Sequence, residues 1–233
     1  LWKRPCTRCM NLPETHWILQ ALRSIMAIAA PGVLLKAEAI VPTRELPPYF
    51  GEGEAYGREC HLAYHSSLMS AAWLCLGEQD TRLLREVIAG TPTLPPAASW
   101  MTYVRCHDDI GWNVLRPELE RQGSDAQARL AFASRFFAGQ TTGSYASGAT
   151  FQAHSDGGVH GTNGMSSALV GLPAARTHAE TEQAVSRLLL LYALVFSVGG
   201  MPLIYMGDEI GLRNAVPDET SRPGVDGRDL HRP

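Results

Sequence analysis

The chemistry-bearing residues of this 233-residue chain gather at the ends of apolar runs. Glu38 is the sharpest signal, a lone carboxylate inside the run 33–41. Burial there would disfavour its charged form and push its pKa upward. A carboxyl that holds its proton near neutral pH is a general acid. Lys36 offers a competing account, because residues two apart on a strand face the same side and an ion pair is geometrically open to them. The run 100–109 is β-branched and aromatic at its start and ends in His107, Asp108 and Asp109. That cluster of acceptors with one donor suits gripping sugar hydroxyls and stabilising a cationic, oxocarbenium-like centre. A hard metal ion is the rival ligand, but it would want several oxygens. Adjacent strand residues diverge, so Asp108 and Asp109 could share an ion only across a local bend. Asp109 fits a helix cap as well as it fits a site. Asp208 and Glu209 follow a third apolar run and read as loop scaffold, accepting backbone N–H bonds.

Short apolar runs alternate with longer helical patterns, the rhythm of βα units around a parallel sheet, so the fold class is α/β. In a barrel of such strands the C-terminal ends converge on one face, which would bring Glu38, His107 and Asp208 together. A helix is expected from Pro13 up to Pro31-Gly32, others over 67–77, 80–88 and 126–137, and a long one from a Thr177 cap through Val198. The runs 33–41 and 201–209 read as strands buried on both faces, and 60–65 as a weaker strand. Residues 113–171 form an insertion whose Gly-, Ser-, Thr- and His-rich part, 139–164, is long enough to be functional. Residues 213–233 read as a loop tail after the last strand, leaving 1–212 as the folded unit.

Composition narrows the function. With 45% apolar and 18% charged residues and a net charge of −3, the chain is ordinary for a globular protein. It lacks the basic stripe that nucleic acid requires. The longest apolar run, 188–198, is about half of the roughly 20 residues that span a bilayer and reads as a buried helix face. Five cysteines, an odd number, point to free thiols and a reducing, cytoplasmic setting. Cys6 and Cys9 form a CxxC without a second pair, so no metal or cofactor is expected. The opening Leu1-Trp2-Lys3-Arg4 has no initiator Met, which suggests a start inside a longer product.

Three segments resemble glycoside hydrolase family 13, the α-amylase family, and within it most closely the amylosucrases. They are Lys36-Ala37-Glu38-Ala39-Ile40-Val41, Tyr103-Val104-Arg105-Cys106-His107-Asp108-Asp109-Ile110-Gly111-Trp112, and Pro202-Leu203-Ile204-Tyr205-Met206-Gly207-Asp208-Glu209. Weaker similarity runs through 168–172 and His231-Arg232-Pro233. The resemblance implies a partial (β/α)8 TIM barrel, strands five to eight with their helices, that needs an N-terminal half-barrel as partner. It implies that Glu38 is the general acid/base ending the fifth strand. His107 and Asp108, ending the seventh, would bind and stabilise the glucosyl ring, with Asp108 counted among the catalytic groups. Asp109 and Ile40 would flank the acceptor or leaving-group subsite, and Arg232 would brace the pocket floor. The family's nucleophile, an aspartate ending the fourth strand, would precede Leu1. Residues 151–164 depart from the arginine-containing pattern of amylosucrases. The expected function is a fragment of a retaining enzyme acting on sucrose or an α-glucan, inactive alone. A non-enzymatic carbohydrate-binding or interaction module is the alternative.

Overall fold

The computed structural model describes residues 2–151 and 159–215. Helix α1 (Pro13–Ala29) starts with proline in its first turn, where a missing N–H costs nothing, and stops ahead of Pro31. It leads to strand β1 (Lys36–Ala37). Two short helical turns, Thr43–Glu45 and Pro47–Phe50, carry the chain towards β2 (Leu62–Tyr64). Helices α2 (Ser66–Glu78) and α3 (Arg82–Ala89) follow, then β3 (Ser99–Tyr103). Beyond it come α4 (Arg116–Arg121), α5 (Ala126–Phe137), the hairpin strands β4 (Ala149–Phe151) and β5 (Gly161–Asn163), and α6 (Ser166–Leu169). Helix α7 (His178–Ser197) opens with a reciprocal capping box between Thr177 and Glu180 and delivers the chain to β6 (Met201–Leu203).

The main sheet is parallel throughout, in the order β1-β2-β3-β6, with Lys36 opposite Leu62, Leu62 opposite Ser99 and Met101 opposite Met201. The larger core lies where α2, α5 and α7 pack behind β2 and β3. Trp73 is fully buried there, its indole N–H donating to the Val104 carbonyl at 2.9 Å and its ring edge-on to Phe137. A smaller core joins Leu46, Phe50, Cys60 and Trp100 under the turns that precede β2. Cys60, Cys75 and Cys106 are buried free thiols, as expected.

Three expectations need correction. The strands are far shorter than the apolar runs that contain them, because ladder pairing stops where the exit loops begin. The runs 33–41 and 201–209 are not buried on both faces: Leu34 and Ile204 are half exposed, since β1 and β6 each have a sheet neighbour on one side only among the described residues. The apolar run in α7 likewise buries Leu191 and Val195 while leaving Leu189 63% and Phe196 55% exposed. No helix among the described residues is long and apolar enough to cross a membrane. Part of the 139–164 stretch forms the β4–β5 hairpin, which a bridge between Ile110 and Thr162 ties to the loop leaving β3. Residues 152–158, including His154, and residues 216–233 lie outside the described residues.

Candidate active site

The site is assembled on three parallel strands. β1 delivers Lys36 and the following Glu38, β2 ends in Tyr64, and the loop after β3 carries His107 and Asp108. β1 and β3 are separated by β2, so in a flat sheet their residues would stand about 10 Å apart. Glu38 Oε1 nevertheless lies 3.0 Å from His107 Nε2, which means that both side chains lean over the end of β2. The imidazole also approaches Asp108 Oδ2, at 3.7 Å. Glu38, His107 and Asp108 line one small region, whereas Asp208, expected to converge with them, is bonded to Ser166 and Tyr192.

Lys36 holds the other oxygen of Glu38, with Nζ 3.1 Å from Oε2, and the same ammonium donates to the Tyr64 hydroxyl at 2.7 Å. Burial works against the lysine's charge, but the Tyr64 and Glu38 oxygens outweigh it and its pKa stands above the ordinary value. Burial raises the pKa of Tyr64 despite the nearby ammonium. Tyr64 in turn packs against Tyr103, ring centres 4.9 Å apart, and Tyr103 bonds Ser66 at the start of α2. The acid/base candidate is thereby linked through Lys36 and two tyrosines to the buried face of the sheet.

The burial expected of Glu38 does not arise: its side chain is 46% exposed, because it follows the edge strand β1. The Lys36 pair, considered as a rival account of Glu38, is present together with the His107 contact, so the two readings are not exclusive. Ile40 stands beside the turn at Gly111. It shares with Glu38, Ala39 and Cys9 the wall of a cavity of about 640 Å³. The next helical turn, Trp112–Leu115, starts after Gly111 and not after Asp109. Arg232 lies outside the described residues.

Asp208 and Glu209 both accept hydrogen bonds within the fold. Asp208 is buried and accepts from Ser166 Oγ at 2.7 Å and from the Tyr192 hydroxyl at 2.6 Å. Burial raises its pKa against the opposing pull of those two hydroxyls and of Arg105. Glu209 folds back to accept from the Gly207 N–H. Two supports escaped the sequence reading. Tyr64 was one, although its place two residues beyond the partner of Lys36 in the β1–β2 register would have revealed it. His65 was the other. It is buried at the start of α2, where Nδ1 meets the Thr43 hydroxyl and the Leu68 N–H while Nε2 meets the Thr91 hydroxyl. Burial lowers its pKa to about 4.

No protein-family profile matches the chain. It is similar to the trehalose synthase/amylase of Mycobacterium tuberculosis, 29% identical over 93% of this chain and 30% of that protein. It is also similar to the glucosylglycerate phosphorylase of Escherichia coli, 29% identical over 92% of this chain and 35% of that one. The trehalose synthase of Thermus thermophilus is 27% identical over 91% of this chain and 18% of its own length. Among solved structures, the sucrose 6F-phosphate phosphorylase of Thermoanaerobacter thermosaccharolyticum superposes with a TM-score of 0.64. The match covers 99% of this chain and 41% of that one at 17% identity, a likeness of fold. The chain spans about a third of the length of the curated relatives reported first.

Proposed function

We infer that this chain, a member of glycoside hydrolase family 13, supplies the acid/base and ring-binding half of a retaining enzyme acting on sucrose or another α-glucoside. The observation that carries the reading is the 3.0 Å approach of Glu38 to His107 from strands that are not neighbours. In the first half-reaction Glu38 protonates the oxygen of the departing sugar. In the second it removes a proton from the acceptor, water or a sugar hydroxyl. His107 and Asp108 bind hydroxyls of the glucosyl ring as its anomeric centre becomes cationic, a role supported by their closeness to Glu38. A substrate would take His107 Nε2 from Glu38, freeing Oε1 to face the glycosidic oxygen. On the same reading Ile40 and Asp109 flank the leaving-group or acceptor subsite, which for Ile40 is supported by the cavity wall that it shares with Glu38. The small-sugar names of the relatives support a glucoside substrate, and transfer or hydrolysis is set by which acceptor reaches Glu38.

A retaining mechanism also needs a nucleophilic carboxylate about 5 to 5.5 Å from the acid/base. Asp108 Oδ2 lies 3.7 Å from the imidazole nitrogen that Glu38 meets at 3.0 Å, and this reading assigns that carboxylate to ring binding. The nucleophile, on this reading, comes from a further strand beside β1, which among the described residues pairs with β2 alone, and the exposed Val33 and Leu34 lie in the segment that leads into it. The four strands would then be the fifth to eighth of a complete barrel, with an N-terminal half-barrel as partner. Two tests follow. The 233-residue chain assayed alone should release no glucose from sucrose or maltooligosaccharides, and measurable release would refute the missing-carboxylate argument. In the complete enzyme, Glu38→Gln should lower turnover of a natural glucoside by about 10²- to 10⁴-fold. It should matter far less for a nitrophenyl glucoside, whose leaving group needs no proton. Equal losses on both substrates would show that Glu38 is not the acid.

A further inference from the structure

We infer that Cys106, His107 and Asp108 form a site for a thiophilic divalent cation such as zinc or cadmium, and that the ion and the glucosyl ring exclude one another. Three consecutive residues of a regular strand could not converge, because alternate side chains point to opposite faces. Here the strand has already ended at Tyr103, and residues 104–109 run outside it. The bend brings the Cys106 sulfur, an imidazole nitrogen of His107 and a carboxylate oxygen of Asp108 all within 4.8 Å of one another. The Asp108 N–H points at the same sulfur, 3.5 Å away, and holds it beside the other two donors.

One sulfur, one nitrogen and one oxygen are a donor set for zinc-like ions. Calcium would want six to eight oxygens. Bond lengths of about 2.0 to 2.3 Å place the ligand atoms of a tetrahedral zinc roughly 3.5 Å apart. The required contraction is small, and the exposed His107 ring is free to make it. Glu38 stands outside this group of three, but its Oε1 lies 3.0 Å from His107 Nε2. An ion there takes the imidazole nitrogen and the carboxylate that the sugar would use. This competition rests on the glucosyl-binding reading of His107 and Asp108, whereas the ion site itself does not.

The experiment titrates cadmium into the chain with Cys6 and Cys9 replaced by serine, following the ultraviolet charge-transfer absorbance of a thiolate–cadmium bond. The expected result is saturation at one equivalent. Cys106→Ala should abolish the band. His107→Asn, which alters an exposed side chain and leaves the fold intact, should weaken binding by at least about tenfold, since even outer-shell changes cost that much. No band, or a band that survives both variants because Cys60 or Cys75 supplies the sulfur, overturns the site. In the complete enzyme, zinc should compete with the sugar donor, and Cys106→Ala should keep turnover while losing that inhibition. Cadmium binding without competition would overturn the exclusion, and the leaving-group behaviour of Glu38→Gln reports on the glucosyl reading independently.

Discussion

The middle of the sheet and its two margins are made of the same kinds of residue and meet opposite fates. Around β2 and β3, Trp73, Phe137 and Leu83 are fully buried. On the outward faces of α1 and α7, the helices that lead into β1 and β6, Ile28 is 87% and Leu190 62% exposed. Hydrophobicity does not separate the two regions. β2 and β3 have a strand on each side and helices behind, whereas β1 and β6 have one strand neighbour each among the described residues. Burial in a parallel sheet belongs to the neighbours of a strand as much as to its own sequence. The site straddles this divide, with Glu38 on the margin and His107 and Asp108 rooted in the middle.

The sharpest way to break the comparison is to remove one large side chain from each region. Trp73→Ala should destabilise the chain by about 3 to 5 kcal/mol, and denaturant melting reads the loss directly. A cost near that of a surface change would mean that the core behind β2 is not consolidated. The next effect is a pH dependence centred on His65. Its folded pKa of about 4 lies below the ordinary value of about 6.5, so the unfolded chain takes up the proton first. The stability tied to its neutral form is complete above about pH 6.5. It is lost as the pH falls towards 4, at up to about 1.4 kcal/mol per pH unit. His65→Gln should flatten that part of the profile, and an unchanged slope would show that His65 does not titrate as described. The smallest effect belongs to the margin, where Leu189→Ala should change stability by no more than about 0.5 kcal/mol. It should also reduce self-association in size-exclusion chromatography, because it removes apolar surface that now faces water. A loss comparable with that of Trp73→Ala would erase the distinction.

Much of the helical framework is legible in the sequence, because helix ends are written in local chemistry. Pro13 opens α1, Thr177 caps α7, and 126–137 coincides with α5. The strands are shorter than the apolar runs that mark them, since each run continues into an exit loop where ladder pairing has already stopped. The convergence of Glu38 and His107 followed from strand-end logic and is present at 3.0 Å. The exposure of Glu38 was not legible. It depends on what lies beyond β1, and sequence pattern does not say which strand is an edge. Tyr64 was missed for a related reason, because its link to Lys36 is a matter of register between strands far apart in the chain. The bend that lets Cys106 meet His107 and Asp108 was likewise hidden in a segment that reads as continuous strand.

The central claim is that Glu38 moves protons and does not itself form the bond to the sugar. Its most direct test is to give α-glucosyl fluoride, whose leaving group needs no acid, to the complete enzyme carrying Glu38→Gln and to examine the protein by mass spectrometry. The account predicts that a covalent glucosyl-enzyme accumulates and that peptide mapping places the sugar outside residues 1–233. A glucosyl group found on Asp108 or elsewhere in these residues, or wild-type turnover of ordinary glucosides by the variant, would contradict it.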